Sequence, residues 1–196
     1  TVNTGAELVL GSAERIADQS HLNVNGILNT NGVETVNSFT ATGTINGAGT
    51  VSALTTNLTD ATVNANMGDG VLTSNGTTTL NANANAGTVT VAGGTLTVNG
   101  ALTNNSAAIT VTGATLAEDG SVTVAGGTLA ADGTIAAASI DVDLGSTLTT
   151  EEAERLNDGV ALTNDGTVSL GGNETIGDLS GAGTITNNGN DLAVTQ

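Results

Sequence analysis

Short stretches in which apolar and polar residues alternate recur along the whole chain. Residues 88–92 (TVTVA), 95–98 (TLTV), 109–112 (ITVT) and 121–125 (SVTVA) are examples, and turns such as Gly93-Gly94 follow them. Alternation with period two places every second side chain on the same face of a strand. The pattern therefore predicts short strands with an inward set of Val89, Val91, Leu96 and Val98 and an outward set of Thr88, Thr90, Thr95 and Thr97.

Two gapless self-matches predict how these strands are arranged. Residues 87–103 match residues 120–136 at a shift of 33, with ten of 17 positions identical. Residues 1–56 match residues 141–196 at a shift of 140, with 18 of 56 identical. A shift of 33 fits two coils of about 16–17 residues, and 140 fits seven or eight coils of about 17–20. We therefore expect residues 1–196 to form a single all-β parallel solenoid in which 1–56 and 141–196 are copies of one block.

The expected solenoid has about 10–12 coils of roughly 16–20 residues. Gapless shifts imply that the coils stack in register, because an insertion would turn inward side chains outward. At about 4.8 Å per coil, the rod would be about 50 Å long.

Composition supports a thin aliphatic core. Apolar residues make up 38% of the chain but aromatic residues only 1%, and Phe39 and Met67 are its one Phe and one Met. Proline is absent, so every backbone N–H is free to join a strand ladder. Cysteine is absent too, which excludes disulfides and thiolate metal sites.

Charge excludes several classes of partner. The chain has 19 acidic residues against two arginines, for a net charge of −17. Nucleic acids and anionic lipid surfaces are bound by clustered cations, which this chain lacks. No apolar run is long enough for a membrane-spanning helix. No leader sequence follows Thr1, so we expect that a signal peptide was removed or that the chain is a piece of a longer one.

The recurring blocks carry a family resemblance. The first block contains residues 12–18 (SAERIAD), 22–26 (LNVNG), 34–36 (ETV) and 43–45 (GTI), and the later block contains 153–158 (AERLND) and 172–185. In these phrases the chain resembles the passenger regions of autotransporter proteins, particularly their autotransporter-associated β-strand repeats. The resemblance implies a right-handed parallel β-helix that is secreted by a Gram-negative cell, displayed on its surface, and adhesive or self-associating. The chain contains no membrane β-barrel segment of the kind that accompanies such passengers.

Few residues are candidates for catalysis. Arg15 and Arg155 occupy equivalent places in the two blocks, about eight coils apart, so they cannot share a site within one rod. His21 is the one histidine, and Ala161 stands at its equivalent position, which argues against a base. We therefore expect structural arginines, a surface histidine and no enzyme activity.

Carboxylates are the remaining candidates for ligand binding. Asp141 and Asp143 would point to one side of a strand, Glu151, Glu152 and Glu154 form an acidic run, and Glu118-Asp119 is a smaller cluster. Oxygen ligands of this kind suit Ca²⁺, but neither known calcium-loop pattern occurs. Solvated turn carboxylates are the simpler interpretation. The outward threonine rows resemble an ice-binding array, although Thr128-Leu129-Ala130 breaks the pattern. We predict no catalytic residue, no cofactor and no metal site.

The expected function is structural. The first and last coils of a β-helix expose unpaired N–H and C=O groups, so we expect each end to abut more solenoid, in the same chain or in another copy. The leading hypothesis is an extracellular, surface-displayed rod that mediates adhesion or self-association, with itself or with a host or neighbouring cell as partner. The alternatives are a subunit of an extracellular fibre built coil on coil and, more remotely, a carbohydrate-active β-helix.

Overall fold

The fold is a parallel β-solenoid. The computed structural model describes residues 1–99, 102–104, 108–111, 115–124, 128–131 and 133–196. Over these residues the chain forms 25 strands and no helix, and every strand pairing is parallel. Residues 112 and 125, the last positions of two predicted segments, lie outside the described residues.

The strands are short, and most of them have three to five residues. In chain order the first thirteen are Glu7–Leu10 (β1), His21–Val24 (β2), Ile27–Thr30 (β3), Val33–Ala41 (β4), Thr44–Asn46 (β5), Thr50–Thr59 (β6), Thr62–Val63 (β7), Asn66–Met67 (β8), Val71–Asn75 (β9), Thr77–Leu80 (β10), Ala84–Ala86 (β11), Thr88–Val91 (β12) and Thr95–Val98 (β13). The others are Leu102–Asn104 (β14), Ala108–Val111 (β15), Thr115–Val124 (β16), Thr128–Ala131 (β17), Thr134–Val142 (β18), Thr147–Thr150 (β19), Ala161–Asn164 (β20), Thr167–Leu170 (β21), Glu174–Ile176 (β22), Asp178–Ser180 (β23), Thr184–Thr186 (β24) and Leu192–Val194 (β25).

Strand pairing divides the solenoid into three faces that run along its axis. Face 1 contains β1, β3, β5, β7, β10, β13, the first halves of β16 and β18, β22 and β25. Face 2 contains the first halves of β4 and β6, β8, β11, β14, the second halves of β16 and β18, β20 and β23. Face 3 contains β2, the second halves of β4 and β6, β9, β12, β15, β17, β19, β21 and β24. Each coil visits face 1, face 2 and face 3 in that order.

The number of coils confirms the prediction. On face 3, ten successive coil-to-coil pairings run from the bridge at Val2 to the last pairing at Thr186. Coil length ranges more widely than expected, from 16 residues between the paired Thr50 and Asn66 to 22 between Ser139 and Ala161. The extra residues of the longest coil lie in the irregular stretch 151–160, so the strands keep their register while the loops absorb the difference.

The core consists of aliphatic side chains stacked from coil to coil. Leu28, Ile45, Val63 and Leu80 occupy one inward position on successive coils of face 1, and all four are buried. Full burial of each such side chain contributes roughly 2 kcal/mol. The sole phenylalanine, Phe39, is also fully buried. The predicted inward set is confirmed at Val89, Val91 and Leu96, and the threonines that alternate with them face outward.

The 33-residue match does not mark two coils, as the sequence had suggested. Val89 stacks on Ile109 and then on Leu129, so the coils there have 20 residues each. The sequence match pairs Val89 with Val122, which instead stacks on Leu102 of face 2. Because each strand–turn unit has the same alternation, similar sequences recur on different faces of the solenoid.

The 140-residue match is also not a whole number of coils. From Leu8, seven complete coils return the chain to face 1 at Ala137. Leu148, the match of Leu8, lies two faces further on, in face 3. The later block therefore repeats the first block one third of a turn out of phase, so that each of its strands lies on a different face from its match.

Candidate functional site

The two arginines lie in matching loops on different faces. Arg15 lies in the first coil, beside Glu34 on face 2 of the second coil. Arg155 lies beside Leu156, which bridges to Ile135 of face 1. The Arg15 Nε donates a hydrogen bond to the Ser12 hydroxyl at 2.6 Å, and the Arg155 guanidinium forms an ion pair with Glu152. Each guanidinium thus serves its own loop, and the structure does not bring the two arginines together.

A buried glutamate anchors the loop in the first block. Glu34 has no exposed surface, and its carboxylate accepts hydrogen bonds from the backbone N–H of Arg15 at 2.9 and 3.0 Å and of Ile16 at 3.1 Å. Its neighbour Thr35 donates a hydroxyl hydrogen bond to the Glu14 carboxylate at 2.9 Å. Glu14 has a φ of 50°, a left-handed conformation, and its N–H donates to the Val33 carbonyl at 3.0 Å.

The second block repeats the arrangement. The buried Glu174 accepts from the N–H of Arg155 at 3.0 and 3.1 Å and of Leu156 at 3.1 Å. Glu154 has a φ of 52°, and its carboxylate accepts from the Thr175 hydroxyl at 3.3 Å. We call each arrangement a glutamate clamp, formed by Glu34 with residues 14–16 and by Glu174 with residues 154–156.

Burial alters the acidity of one clamp residue. Loss of solvent raises the pKa of Glu174 above its ordinary value, and the nearby Glu154 carboxylate adds to this increase in pKa. The hydrogen bonds from the N–H of Arg155 and Leu156 lower the pKa of Glu174, but they do not cancel the effect of burial. The clamp thus holds a carboxyl group that binds a proton more tightly than an exposed glutamate does.

Sequence reasoning treated the arginines as structural but missed these glutamates. A glutamate in an alternating strand is normally assigned to the solvent-facing side, and so the pattern gave no reason to bury it. The available signal was spacing, because Glu34 follows Arg15 by 19 residues and Glu174 follows Arg155 by the same interval. One coil separates the members of each pair, so the spacing places them side by side.

The other candidate residues remain separate. His21 lies on the exterior of face 3, where its Nδ1 is 2.6 Å from the Ser38 hydroxyl. Asp141 lies between Thr123 and Thr163 on face 2, and Asp143 is exposed. The side chains of Glu118-Asp119 are outside the described part of the chain. Within the described residues, no group of three or more His, Cys, Asp or Glu side chains could hold a metal ion.

Polar ladders run along the exterior. On face 1 the Asn64 amide donates to the Asn46 side-chain oxygen at 2.7 Å, Asn81 donates to Asn64 at 2.7 Å, and Asn99 donates to Asn81 at 2.6 Å. These hydrogen bonds join asparagine side chains of four successive coils. The outward threonine positions differ in continuity. Thr88 pairs with Val71 of the preceding coil, so its row is interrupted, whereas Thr95 pairs with Thr77 and Thr115, and Thr115 pairs with Thr134.

An open cleft lies at the junction of faces 2 and 3 near the beginning of the chain. It spans four successive coils and has a volume of about 390 Å³. Val36 and Ala53, inward residues that are only 2% and 4% exposed, lie at its floor, and Leu54, which is 70% exposed, supplies most of the accessible apolar side chain. Asp18 lies at one end and Asp69 at the other, and no cationic side chain lines the cleft.

Comparison with known proteins assigns no family to this solenoid: no family model, no curated protein and no solved structure matches the chain. Among the described residues there is no helix long and apolar enough to cross a membrane.

Proposed function

We propose that this chain is a structural and adhesive rod, displayed outside a Gram-negative cell, that works by associating with copies of itself and not by catalysis. The observation that carries the proposal is the continuous ten-coil stack, which turns 196 residues into a stiff element about 50 Å long. The resemblance to autotransporter passengers supports the location, and the charge of −17 suits a surface that must stay soluble despite many strands.

The end coils support self-association. In the interior of the rod the inward aliphatic residues are fully buried, but Leu179, Ile185 and Leu192 in the last coil are only partly covered. The strands of that coil also have one edge that no later strand of these 196 residues pairs. Unpaired edges recruit further strands. We therefore expect another solenoid coil, of the same chain or of another copy, to cover this surface, and coil-on-coil fibre assembly is the second candidate function.

The adhesive and the fibre proposals are tested by negative-stain electron microscopy of the purified chain over a dilution series. Filaments one rod in width would support coil-on-coil assembly, and clumping of cells that display the chain would support adhesion. Discrete rods of about 50 Å at every dilution, combined with no clumping of displaying cells, would contradict self-association.

A variant pair separates end contacts from other effects. Ile185→Lys places a charge on the half-covered inward position of the last coil, and we expect it to abolish filaments and clumping. Leu144→Lys makes the same change of charge at a turn residue that is 87% exposed and away from the ends, so its association should match that of the parent chain. If the two variants form filaments and clumps to the same extent, the end-contact proposal is contradicted.

A further inference from the structure

The cleft at the junction of faces 2 and 3 has the size and shape of a small-molecule site. Its volume of about 390 Å³ lies within the range of roughly 300–1,000 Å³ typical of ligand pockets. Its floor comes from strand residues, Val36 of β4 and Ala53 of β6, which the sheet holds in adjacent coils. Rigid elements therefore position the surface that a ligand would contact.

Two glycines of the fourth coil pack closely on the coil that lines the cleft. Gly70 closes the coil beneath Leu54 with a φ of +123°, in the region that favours glycine. A Cβ at Gly70 would lie 1.9 Å from the Ala53 carbonyl oxygen. Gly68 likewise approaches Ser52 so closely that a Cβ would lie 1.9 Å from its hydroxyl oxygen. At Gly70 the close atom belongs to the backbone, so a side chain does not fit there, whereas the Ser52 hydroxyl beside Gly68 can rotate away.

The charges define what the cleft can hold. Asp18 belongs to the first coil and Asp69 to the fourth, so three coil steps, or about 14 Å along the axis, separate them. The lining between the two carboxylates contains the apolar Val36, Ala53 and Leu54 and the polar Thr35, Asn37 and Ser52. A compact cation could contact only one end, whereas an elongated molecule with a positive charge at each end and methylene groups between would match both ends and the floor.

We propose that this cleft binds a linear aliphatic polyamine, with one terminal ammonium group at Asp18, the other at Asp69, and the methylene chain over Val36 and Ala53 beside Leu54. Charge complementarity supports this occupant, because the chain carries −17 overall and has two arginines and no lysine to compete. The site is independent of the proposed self-association, which uses the ends of the rod.

Isothermal titration calorimetry of the folded chain with spermine and with putrescine tests the proposal. We expect one spermine per chain at physiological salt and markedly weaker binding of putrescine, which is too short to reach both carboxylates. The double substitution Asp18→Asn with Asp69→Asn should weaken spermine binding about tenfold, because two exposed ion pairs are lost. Leu54→Asn should weaken spermine binding as well.

The matched control removes two exposed carboxylates elsewhere, by Asp143→Asn with Asp158→Asn, and we expect less than a twofold effect. Equal losses in the two double variants would show binding to the general negative charge and overturn the proposal, as would equal affinities for spermine and putrescine. Should the cleft variants fail to fold, NMR of the parent chain decides: shifts concentrated at Ala53 and Gly70 on adding spermine support the site, and shifts spread evenly refute it.

Discussion

A carboxylate enclosed in a β-solenoid must find replacements for the water it loses. Glu34 and Glu174 find them in the N–H groups of residues 15–16 and 155–156, which lie one coil earlier in the stack. The loops before these residues contain no regular strand, and so the glutamates satisfy donors that a neighbouring strand would otherwise bond. The clamp therefore lets a long loop rejoin the stack without leaving buried N–H groups unpaired.

Glu34→Gln should destabilise the fold by about 2 kcal/mol. One carboxylate oxygen of Glu34 now accepts hydrogen bonds from the N–H groups of Arg15 and Ile16, and in the variant an amide NH₂ donor would face those two donors. Urea denaturation followed by circular dichroism measures the change. The control is Glu151→Gln, at an exposed position, for which we expect a change within about 0.5 kcal/mol. A loss at Glu34 no larger than that of the control would contradict the clamp.

Stability should also depend on pH through Glu174. Because its pKa is raised in the folded state, the folded chain binds this proton more tightly than the unfolded chain does. The resulting stabilisation is fully present below the unfolded pKa of 4.5 and is lost as pH rises through the raised folded pKa. We expect the free energy of unfolding of the parent chain, relative to that of Glu174→Gln, to fall as the pH rises above 4.5 and through the raised folded pKa. Parallel pH profiles for the two proteins would rule out this coupling.

At the scale of the elements, the coil-to-coil distance is set by close contacts between turns. Gly43 follows β4 and lies directly over the turn before β3, where a Cβ at Gly43 would be 2.0 Å from the Gly26 carbonyl oxygen. The Thr44 N–H then donates to that same carbonyl at 2.9 Å. A side chain at this corner would push the coils apart and weaken the ladder on face 1.

Gly43→Ala should therefore cost about 2–3 kcal/mol, as overpacking of a tight contact does. Gly11→Ala is the matched change, since a Cβ there would meet no atom within 4 Å, and we expect it to be neutral or slightly stabilising. Thermal melting of both variants provides the comparison. Similar melting temperatures for the two would mean that the turn can relax and that the contact does not fix the coil spacing.

Alternation and repetition were enough to predict the strands, the aliphatic core and the parallel stack. They could not predict the faces, because residues 88–91 and 121–124 have the same pattern yet lie on faces 3 and 2. Face assignment depends on the length of each turn, and the turns here vary by several residues without any change in the strands. The cleft was missed for a related reason: Asp18 and Asp69 are distant in sequence and meet the same cavity only after the coils are stacked.

For the whole molecule, charge opposes compaction. With 19 acidic residues and two arginines on one thin rod, carboxylates repel each other along and around the stack. Raising the salt concentration from about 10 mM to about 150 mM shortens the Debye length from roughly 30 Å to roughly 8 Å. We expect this increase in salt to raise the melting temperature by several degrees. Sucrose at equal osmolality does not screen charge, so the melting temperature should not depend on sucrose concentration in the same way. A melting temperature that falls on adding salt would contradict this view.

The two recurring blocks differ in phase by one third of a turn, and this offset determines the directions in which their matching loops point. The glutamate clamp loops point outward beside face 2 near one end and beside face 1 near the other, so they do not lie along one line. Because the two loops lie beside different faces, a contact through one loop and a contact through the other come from different directions. Two bodies that approach from different sides can each meet one. Contacts made through both clamp loops would therefore link the rod to neighbours on two different sides.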